Sequence, residues 1–261
     1  ADNVGDNVGD VAGMGADLFD SNVASMSAAL IMAAALDRIE GGSRYVGMVF
    51  CFTALGLLAS VIGIMFARIG RDGSPTRALN SGTYITTAIY VALTGGATAI
   101  LGYDIRIWGA CVVGLLVGVV IGVATDYFTD DTRPPVHHVA KASGSGPAFT
   151  ILSGVSYGFI SALPAMVGIG VSALAAYKLC EGLDPTGANT VQYAMFGIAM
   201  AAVGMLSIVG MIVSNDAYGP IVDNARGLAE MGGLGDEVLA ITDELDSAGN
   251  TVKAVTKGFS I

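Results

Sequence analysis

The chain has 261 residues, of which 53% are hydrophobic and only 13% are charged, and its formal net charge is −10. Soluble domains carry about 25% charged residues, so this composition excludes an ordinary soluble domain. The acidic balance argues against a nucleic-acid partner, which would require basic patches. The chain begins Ala-Asp-Asn and stops at Ile261 inside an apparent helix start, so we expect an internal piece of a longer protein.

Six apolar segments of 19 residues or more follow one another along the chain, and a seventh begins near Ala254. The six are approximately residues 11–36, 45–67, 82–102, 107–125, 147–177 and 191–214. The second has 23 residues without a charge, enough at about 1.5 Å per residue to cross a hydrocarbon core of about 30 Å. The 37 glycines would let such helices approach closely. We therefore predict an all-α polytopic transmembrane bundle, with about six spanning helices in a single membrane domain.

Lys and Arg are distributed unevenly between the two sides of the membrane. With the N-terminus on side one, that side carries eight of the 12 basic residues: Arg68, Arg71, Arg77, Arg133, Lys141, Arg226, Lys253 and Lys257. The four on side two are Arg38, Arg44, Arg106 and Lys178. Because cytoplasmic loops carry the excess of Lys and Arg, side one is predicted to be cytoplasmic. Residues 1–10, the 126–146 loop and the segment 215–253 fall on that side, as a cytoplasmic active site would require.

An acidic ladder opens the chain, with Asp2, Asp6 and Asp10 at intervals of four residues and Asp17 seven residues later. On a helix these spacings place the carboxylates on one face, where like charges repel. Cations between them would relieve the repulsion, and oxygen ligands suit Mg²⁺, which bridges carboxylates and substrate phosphates. The alternative interpretation is a solvated acidic helix start that the helix dipole favours.

A second polar motif, SNDAYGPIVDNARGLAEM, covers residues 214–231. Asp216 and Asp223 are seven residues apart and share a helical face, and Asn224 adds a neutral oxygen. Pro220 would have to kink a helix there. The alternative interpretation is a capped, solvated helix where the chain leaves the membrane.

A third motif, DELDSAGNTVKAVTKG, covers residues 243–258. Its Gly249-Asn250-Thr251 triplet predicts a helix start with Asn or Thr as the cap. Lys253 and Lys257 are four residues apart on one face, and the alternative for them is a pair of lysines that snorkel at the membrane edge.

Two further carboxylates, Asp17 and Asp20, lie inside the first apolar segment. A carboxylate in a membrane span is energetically costly and is usually functional, unless it lies near the water interface. The sequence contains no GxxxxGK[ST] motif, which argues against a P-loop ATPase.

The three polar motifs, ADNVGDNVGD, DAYGPI-x-DNA and LD-x-x-GNT-x-KA-x-TKG, together resemble the membrane-integral pyrophosphatases, and the resemblance covers the whole chain. Family chains are longer, and this one resembles their middle part. The resemblance implies an integral membrane homodimer in the lipid bilayer, which hydrolyses Mg²⁺-bound inorganic diphosphate in a cytoplasmic funnel and pumps ions. Because part of the funnel would be missing, we expect the isolated chain to be inactive.

The resemblance also implies roles for individual residues. Asp2, Asp6 and Asp10 match the acidic motif that holds Mg²⁺ and substrate, with Asp6 and Asp10 catalytic and Asp10 positioning the attacking water. Asp223 and Asn250 match further Mg²⁺ and substrate contacts.

The predicted ion gate consists of Asp17, which matches the family's gate carboxylate, and Asp20, which stands where a glutamate is usual. The alternative glutamate position one turn later is Ala24, which leaves the choice of ion open. Lys253 and Thr256 match the residues of the family's K⁺-independent, proton-pumping branch. The physical rationale is that a lysine ammonium can supply the positive charge that K⁺ otherwise supplies.

The predicted function is thus diphosphate hydrolysis coupled to proton translocation. The alternatives are a K⁺-dependent sodium-pumping pyrophosphatase, a proton-coupled secondary transporter that uses Asp17 without hydrolysis, and an inactive membrane scaffold. Transport alone does not require three stacked cytoplasmic carboxylates, which counts against the transporter.

Overall fold

The structure, a computed structural model, describes residues 2–68 and 73–260, and all regular secondary structure in these residues is helical. A π-helical segment, Asn7–Gly13, follows the first α-helix. The α-helices are α1 (Asp2–Asp6), α2 (Met14–Glu40), α3 (Arg44–Phe66), α4 (Pro75–Leu101), α5 (Ile105–Thr129), α6 (Pro134–Ser143), α7 (Pro147–Cys180), α8 (Thr190–Met205), α9 (Val209–Met231) and α10 (Asp236–Ser260).

Six helical stretches are long and apolar enough to cross a membrane, which confirms the predicted all-α bundle with six spans. They are Asn3–Glu40, Arg44–Phe66, Pro75–Leu101, Ile105–Ser143, Pro147–Cys180 and Thr190–Met231. Residues 254–260 lie inside α10, so the start of a further span at Ala254 stays a prediction. Arg71, which contributed to the predicted orientation, lies outside the described residues.

Local side chains define the ends of the first helices. The buried Asp37 accepts hydrogen bonds from the backbone N–H groups of Tyr45 and Val46, both at 2.9 Å, and so caps the start of α3. Gly41 makes the turn between α2 and α3 with φ of 78°, a conformation that glycine adopts without strain. The Ser74 side chain caps α4 by accepting from the N–H of Arg77 at 3.5 Å. These caps satisfy N–H groups that a helix start leaves unpaired.

The described chain divides into two compact units. The first comprises Ala1–Asp17, Val120–Val167 and Val213–Ile261, and the second comprises Leu18–Val119 and Gly168–Ile212. The largest buried side chains of the second unit include Phe52, Tyr90 and Phe196. The polar site described below lies in the first unit.

Glycine allows close helix packing in the second unit. A Cβ at Gly114 of α5 would overlap the carbonyl oxygen of Ala201 in α8, and a Cβ at Gly204 would overlap that of Cys111. Helix packing in membranes depends on such small residues, because lipid tails remove the hydrophobic incentive for association. The prediction that Gly supports close packing is therefore correct for α5 and α8.

Replacing Gly114 by Ala in the full-length protein should push α5 and α8 apart and lower stability by about 1–3 kcal/mol, as overpacking does. The measurement is the melting temperature of the detergent-purified protein. Gly96→Ala is the matched control, because a Cβ at Gly96 meets no heavy atom within 4 Å in the part of the chain that the structure describes. Equal melting temperatures for the two variants would contradict the packing account.

Candidate functional site

Lys253 lies at the centre of the polar residues in the first unit. Its Nζ is 3.1 Å from Asp223 Oδ2 and 3.3 Å from Asp10 Oδ2. Asp10 belongs to the π-helical segment, Asp223 to α9 and Lys253 to α10. One ammonium group therefore joins three separate segments through the very residues that the three sequence motifs singled out. Pairing with two acids replaces the alternative of a lysine that snorkels to the membrane edge.

The surroundings of Lys253 keep it charged. Its side chain is only 20% exposed, and this burial acts to lower its pKa. The hydrogen bonds and charges of Asp223 and Asp10 act in the opposite direction and outweigh burial, so the pKa of Lys253 lies above its ordinary value. The two carboxylates thus have a permanent monovalent cation beside them at physiological pH.

One residue of the acidic ladder lies in an unexpected type of helix. The interval of four suggested a regular helix, which α1 is for Asp2 and Asp6, whereas Asp10 belongs to the π-helical segment Asn7–Gly13. A π-helix forms hydrogen bonds between residues five positions apart. Such helices are rare in proteins, and those that occur are often found at functional sites. Asp10 has a side chain 48% exposed, so it can contact both Lys253 and a ligand. The Asp2 side chain, predicted to join this group, lies outside the described residues.

The predicted helix start at Gly249-Asn250-Thr251 is wrong, because these residues lie inside α10. Gly249 is there for packing. A Cβ at this position would come within 2.6 Å of Val222 Cγ2 and 3.1 Å of Gly219 Cα, both in α9. The two glycines let α9 and α10 approach closely, and this closeness brings Lys253 within reach of Asp223.

Asp216 and Thr256 form a buried layer beside the ion-paired lysine. Asp216 is 3% exposed and Thr256 is 1% exposed, and their side chains are hydrogen bonded to each other. Asp216 also interacts electrostatically with Asp10 and Lys253. Thr256, which the sequence linked to K⁺ independence only through the family resemblance, thus contacts a buried acid of the same cluster.

Asp246 is a candidate functional residue that the sequence analysis missed. Its Oδ2 accepts a hydrogen bond from Nδ2 of Asn250 at 3.3 Å, and this orients the Asn250 amide. Its Oδ1 is buried and without a hydrogen-bond partner in the described chain, as is Oδ1 of Asn224. Burial and the negative charge of Asp223 raise the pKa of Asp246. The available signal was the interval of four residues between Asp246 and Asn250 on one helix.

The predicted gate residues occupy different environments. Asp17 Oδ2 lies 3.3 Å from Lys257 Nζ, and both side chains are 55% exposed. Lys257, the second lysine of the third motif, therefore also pairs with an acid, and it lies one turn beyond Lys253 on α10. Asp20 is exposed, and so is Ala24 at the alternative glutamate position.

The chemistry of these groups suits Mg²⁺. The donors are all carboxylate and amide oxygens, and the buried, unpartnered Oδ1 atoms of Asn224 and Asp246 leave free acceptor capacity. Within residues 2–68 and 73–260, no three His, Cys, Asp or Glu side chains converge as a metal site. Mg²⁺ keeps several waters and uses one or two carboxylates plus substrate phosphates, so a site shared with diphosphate needs no such convergence.

Comparison with known proteins agrees with the motifs. The family model for inorganic H⁺ pyrophosphatase matches residues 1–261. A Clostridium tetani protein is 43% identical over 261 residues; its name, a K⁺-stimulated pyrophosphate-energized sodium pump, is provisional. K⁺-insensitive pyrophosphate-energized proton pumps of Moorella thermoacetica and Methanosarcina mazei are each 40% identical, over 270 and 261 residues. All three alignments cover 100% of this chain and 38% of the relative. The chain therefore belongs to the inorganic H⁺ pyrophosphatase family.

Proposed function

We propose that the full-length protein hydrolyses inorganic diphosphate at the cytoplasmic face of a membrane and couples hydrolysis to proton translocation, without a requirement for K⁺. The observation that carries this proposal is the Lys253 ammonium between Asp10 and Asp223. The activity belongs to the whole protein, of which this chain corresponds to about 38% of the length of its relatives.

Hydrolysis requires a base for water and compensation for the charge of diphosphate. Asp10 is the proposed base, with a half-exposed carboxylate that can accept a proton from water, and Asp6 acts beside it. Asp2, Asp223 and Asn250 are the further proposed contacts to Mg²⁺ and diphosphate. Mg²⁺, when bound, would neutralise phosphoryl oxygens and stabilise the charge that develops during transfer. Asp246 holds the Asn250 amide so that the amide oxygen is available to a cation, and its own unpartnered Oδ1 is proposed as a further contact to that cation.

K⁺ independence follows from the position of Lys253. A K⁺ ion near diphosphate contributes one positive charge, and an ammonium on a buried stem contributes the same charge without a binding step. Thr256 is proposed to support Lys253 indirectly, because it hydrogen bonds to Asp216 and Asp216 interacts electrostatically with Lys253.

Proton coupling is proposed to involve Asp17, with Asp20 three residues later on the same helix, α2. Asp17 is held by Lys257, four residues after Lys253 on α10. Movement of α10 on substrate binding would therefore affect both ion pairs together. A homodimer in the lipid bilayer is part of this proposal and rests on the family resemblance.

A K⁺-dependent sodium pump is the second candidate. It is favoured by the Clostridium tetani relative and by Asp20, whose shorter acid can alter ion selection at the gate. Lys253 argues against it. A transporter without hydrolysis is disfavoured by membership of a pyrophosphatase family.

The first test removes the proposed base. Asp10→Asn in the full-length protein should lower the rate of diphosphate hydrolysis by about 10²-fold or more, the usual contribution of a general base. Phosphate release from membrane vesicles measures this rate. Asp243→Asn is the matched control, since Asp243 pairs with Arg226 on the surface and should leave hydrolysis unchanged. Near-normal turnover of Asp10→Asn would rule out its proposed role.

The second test concerns the monovalent cation. In buffer without Na⁺, the wild-type protein should hydrolyse diphosphate and acidify vesicles at the same rate whether or not K⁺ is present. Lys253→Ala should become several-fold more active when K⁺ is added, whereas Lys141→Ala on α6 should not respond. Transport by the wild type that requires Na⁺, or its strong activation by K⁺, would instead support the sodium pump.

The third test uses the raised pKa of Asp246. The folded-state pKa of Asp246 exceeds the unfolded value of about 3.9, so ionisation of Asp246 disfavours the folded state. The folded state therefore loses stability as the pH rises from the unfolded pKa through the folded one. In EDTA, Asp246→Asn should therefore melt at a higher temperature than wild type at neutral pH, with the difference shrinking toward pH 4.

Addition of Mg²⁺ should reverse this order, because the wild-type carboxylate gains a cation and the amide does not. Melting temperatures over pH 4–8, with EDTA or Mg²⁺, measure both effects. Identical Mg²⁺ stabilisation of the two proteins would remove Asp246 from the proposed cation site.

A further inference from the structure

We infer that Gly219 is a specificity-determining residue, because it provides the space in which the Lys253 side chain can replace K⁺. This inference rests on the proposed K⁺-independent hydrolysis. An ideal Cβ at Gly219 would lie 2.7 Å from both Cγ and Cε of Lys253 and 3.2 Å from the Gly249 carbonyl oxygen. The stem of the lysine therefore packs directly against the bare Cα of Gly219.

Gly219 lies in the interior of α9, immediately before Pro220. A helix interior disfavours glycine relative to alanine, whereas a following proline acts in the opposite direction, because it disfavours a residue with a Cβ in helical backbone. Space for the lysine stem gives a physical reason for a glycine on this face of α9. The contact with the Gly249 carbonyl oxygen, at 3.2 Å, requires that backbone to give by only a few tenths of an ångström, whereas the 2.7 Å approaches to the lysine stem require a larger shift. The lysine side chain is therefore the group that a methyl at 219 would displace most.

Displacement of the stem would move the charge. The ammonium contacts Asp10 and Asp223 at 3.3 and 3.1 Å, already longer than a short charge-assisted hydrogen bond of about 2.9 Å. Because the two acids belong to different segments, few positions of Nζ satisfy both. A shift of about 1 Å along the stem would break at least one pair, since the attraction depends on close geometry.

Loss of the ammonium from this position recreates the situation of Lys253→Ala. Two carboxylates face each other without their monovalent cation, and a K⁺ ion can then stabilise them. Gly219→Ala is therefore expected to convert the K⁺-independent enzyme into one that K⁺ activates, although Lys253 itself is still present.

The experiment compares four full-length proteins: wild type, Gly219→Ala, Lys253→Ala and the double variant. Diphosphate hydrolysis is measured in Na⁺-free buffer with and without K⁺. We expect no K⁺ response in wild type and several-fold activation in each single variant. In the Lys253→Ala background, Gly219→Ala should change K⁺ activation less than two-fold, because the stem it displaces is gone. The cost of alanine before Pro220 is common to both backgrounds.

A binding measurement complements the rates. With Mg²⁺ and the non-hydrolysable analogue imidodiphosphate, K⁺ should raise the melting temperature of Gly219→Ala and of Lys253→Ala but not of wild type. A Gly219→Ala protein that K⁺ neither activates nor stabilises overturns the inference. The inference is also overturned if Gly219→Ala changes K⁺ activation equally in the wild-type and the Lys253→Ala backgrounds.

Three further outcomes are also decisive. If Gly219→Ala fails to fold, the double variant must fold, because removal of the lysine stem removes the clash, and failure of both overturns the inference. If wild type itself requires K⁺, the proposed function fails whatever Gly219→Ala does. If wild type is K⁺-independent and Gly219→Ala remains so, only the role of Gly219 fails.

Discussion

The site depends on one electrostatic constraint, which is the repulsion among three neighbouring acids, one of them buried. Asp10, Asp216 and Asp223 surround one lysine in the first unit. A cation among these acids offsets their mutual repulsion, which is least screened at the buried Asp216. Lys253 supplies that cation permanently. Diphosphate would bring further negative charge to the same place, so the demand for cations increases on substrate binding.

This electrostatic arrangement relies on the packing of small residues. Lys253 reaches Asp223 because Gly249 lets α10 pack closely against Val222 and Gly219 of α9, and because Gly219 leaves space for the lysine stem. Close packing through glycine is the ordinary way in which membrane helices associate. Here close packing also sets the position of the Lys253 ammonium. The hydrogen bond between Thr256 and Asp216 forms the buried side of the same cluster. Helix packing and ion preference are therefore consequences of the same few residues.

The sequence predicted the six spans and the polar motifs well, because hydropathy and residue spacing report on them directly. It could not predict that Lys253 pairs with two acids, since this depends on the distance and rotation between α9 and α10. Gly249 was misread as a helix start because a glycine beside Asn and Thr is usual at helix ends, whereas its true partner, Val222, is 27 positions away in sequence. Asp246 was missed because its interval of four from Asn250 does not reveal that its Oδ1 is buried and without a hydrogen-bond partner.

The position of the Lys253 ammonium is the central claim, and an electron cryo-microscopy map of the full-length protein in buffer free of K⁺ and Na⁺ tests it most directly. The account predicts continuous side-chain density from Lys253 that ends about 3 Å from the carboxylates of both Asp10 and Asp223, the distance of a charge-assisted hydrogen bond. Lysine density directed away from the two acids, or a gap between the carboxylates that only added K⁺ fills, would contradict it.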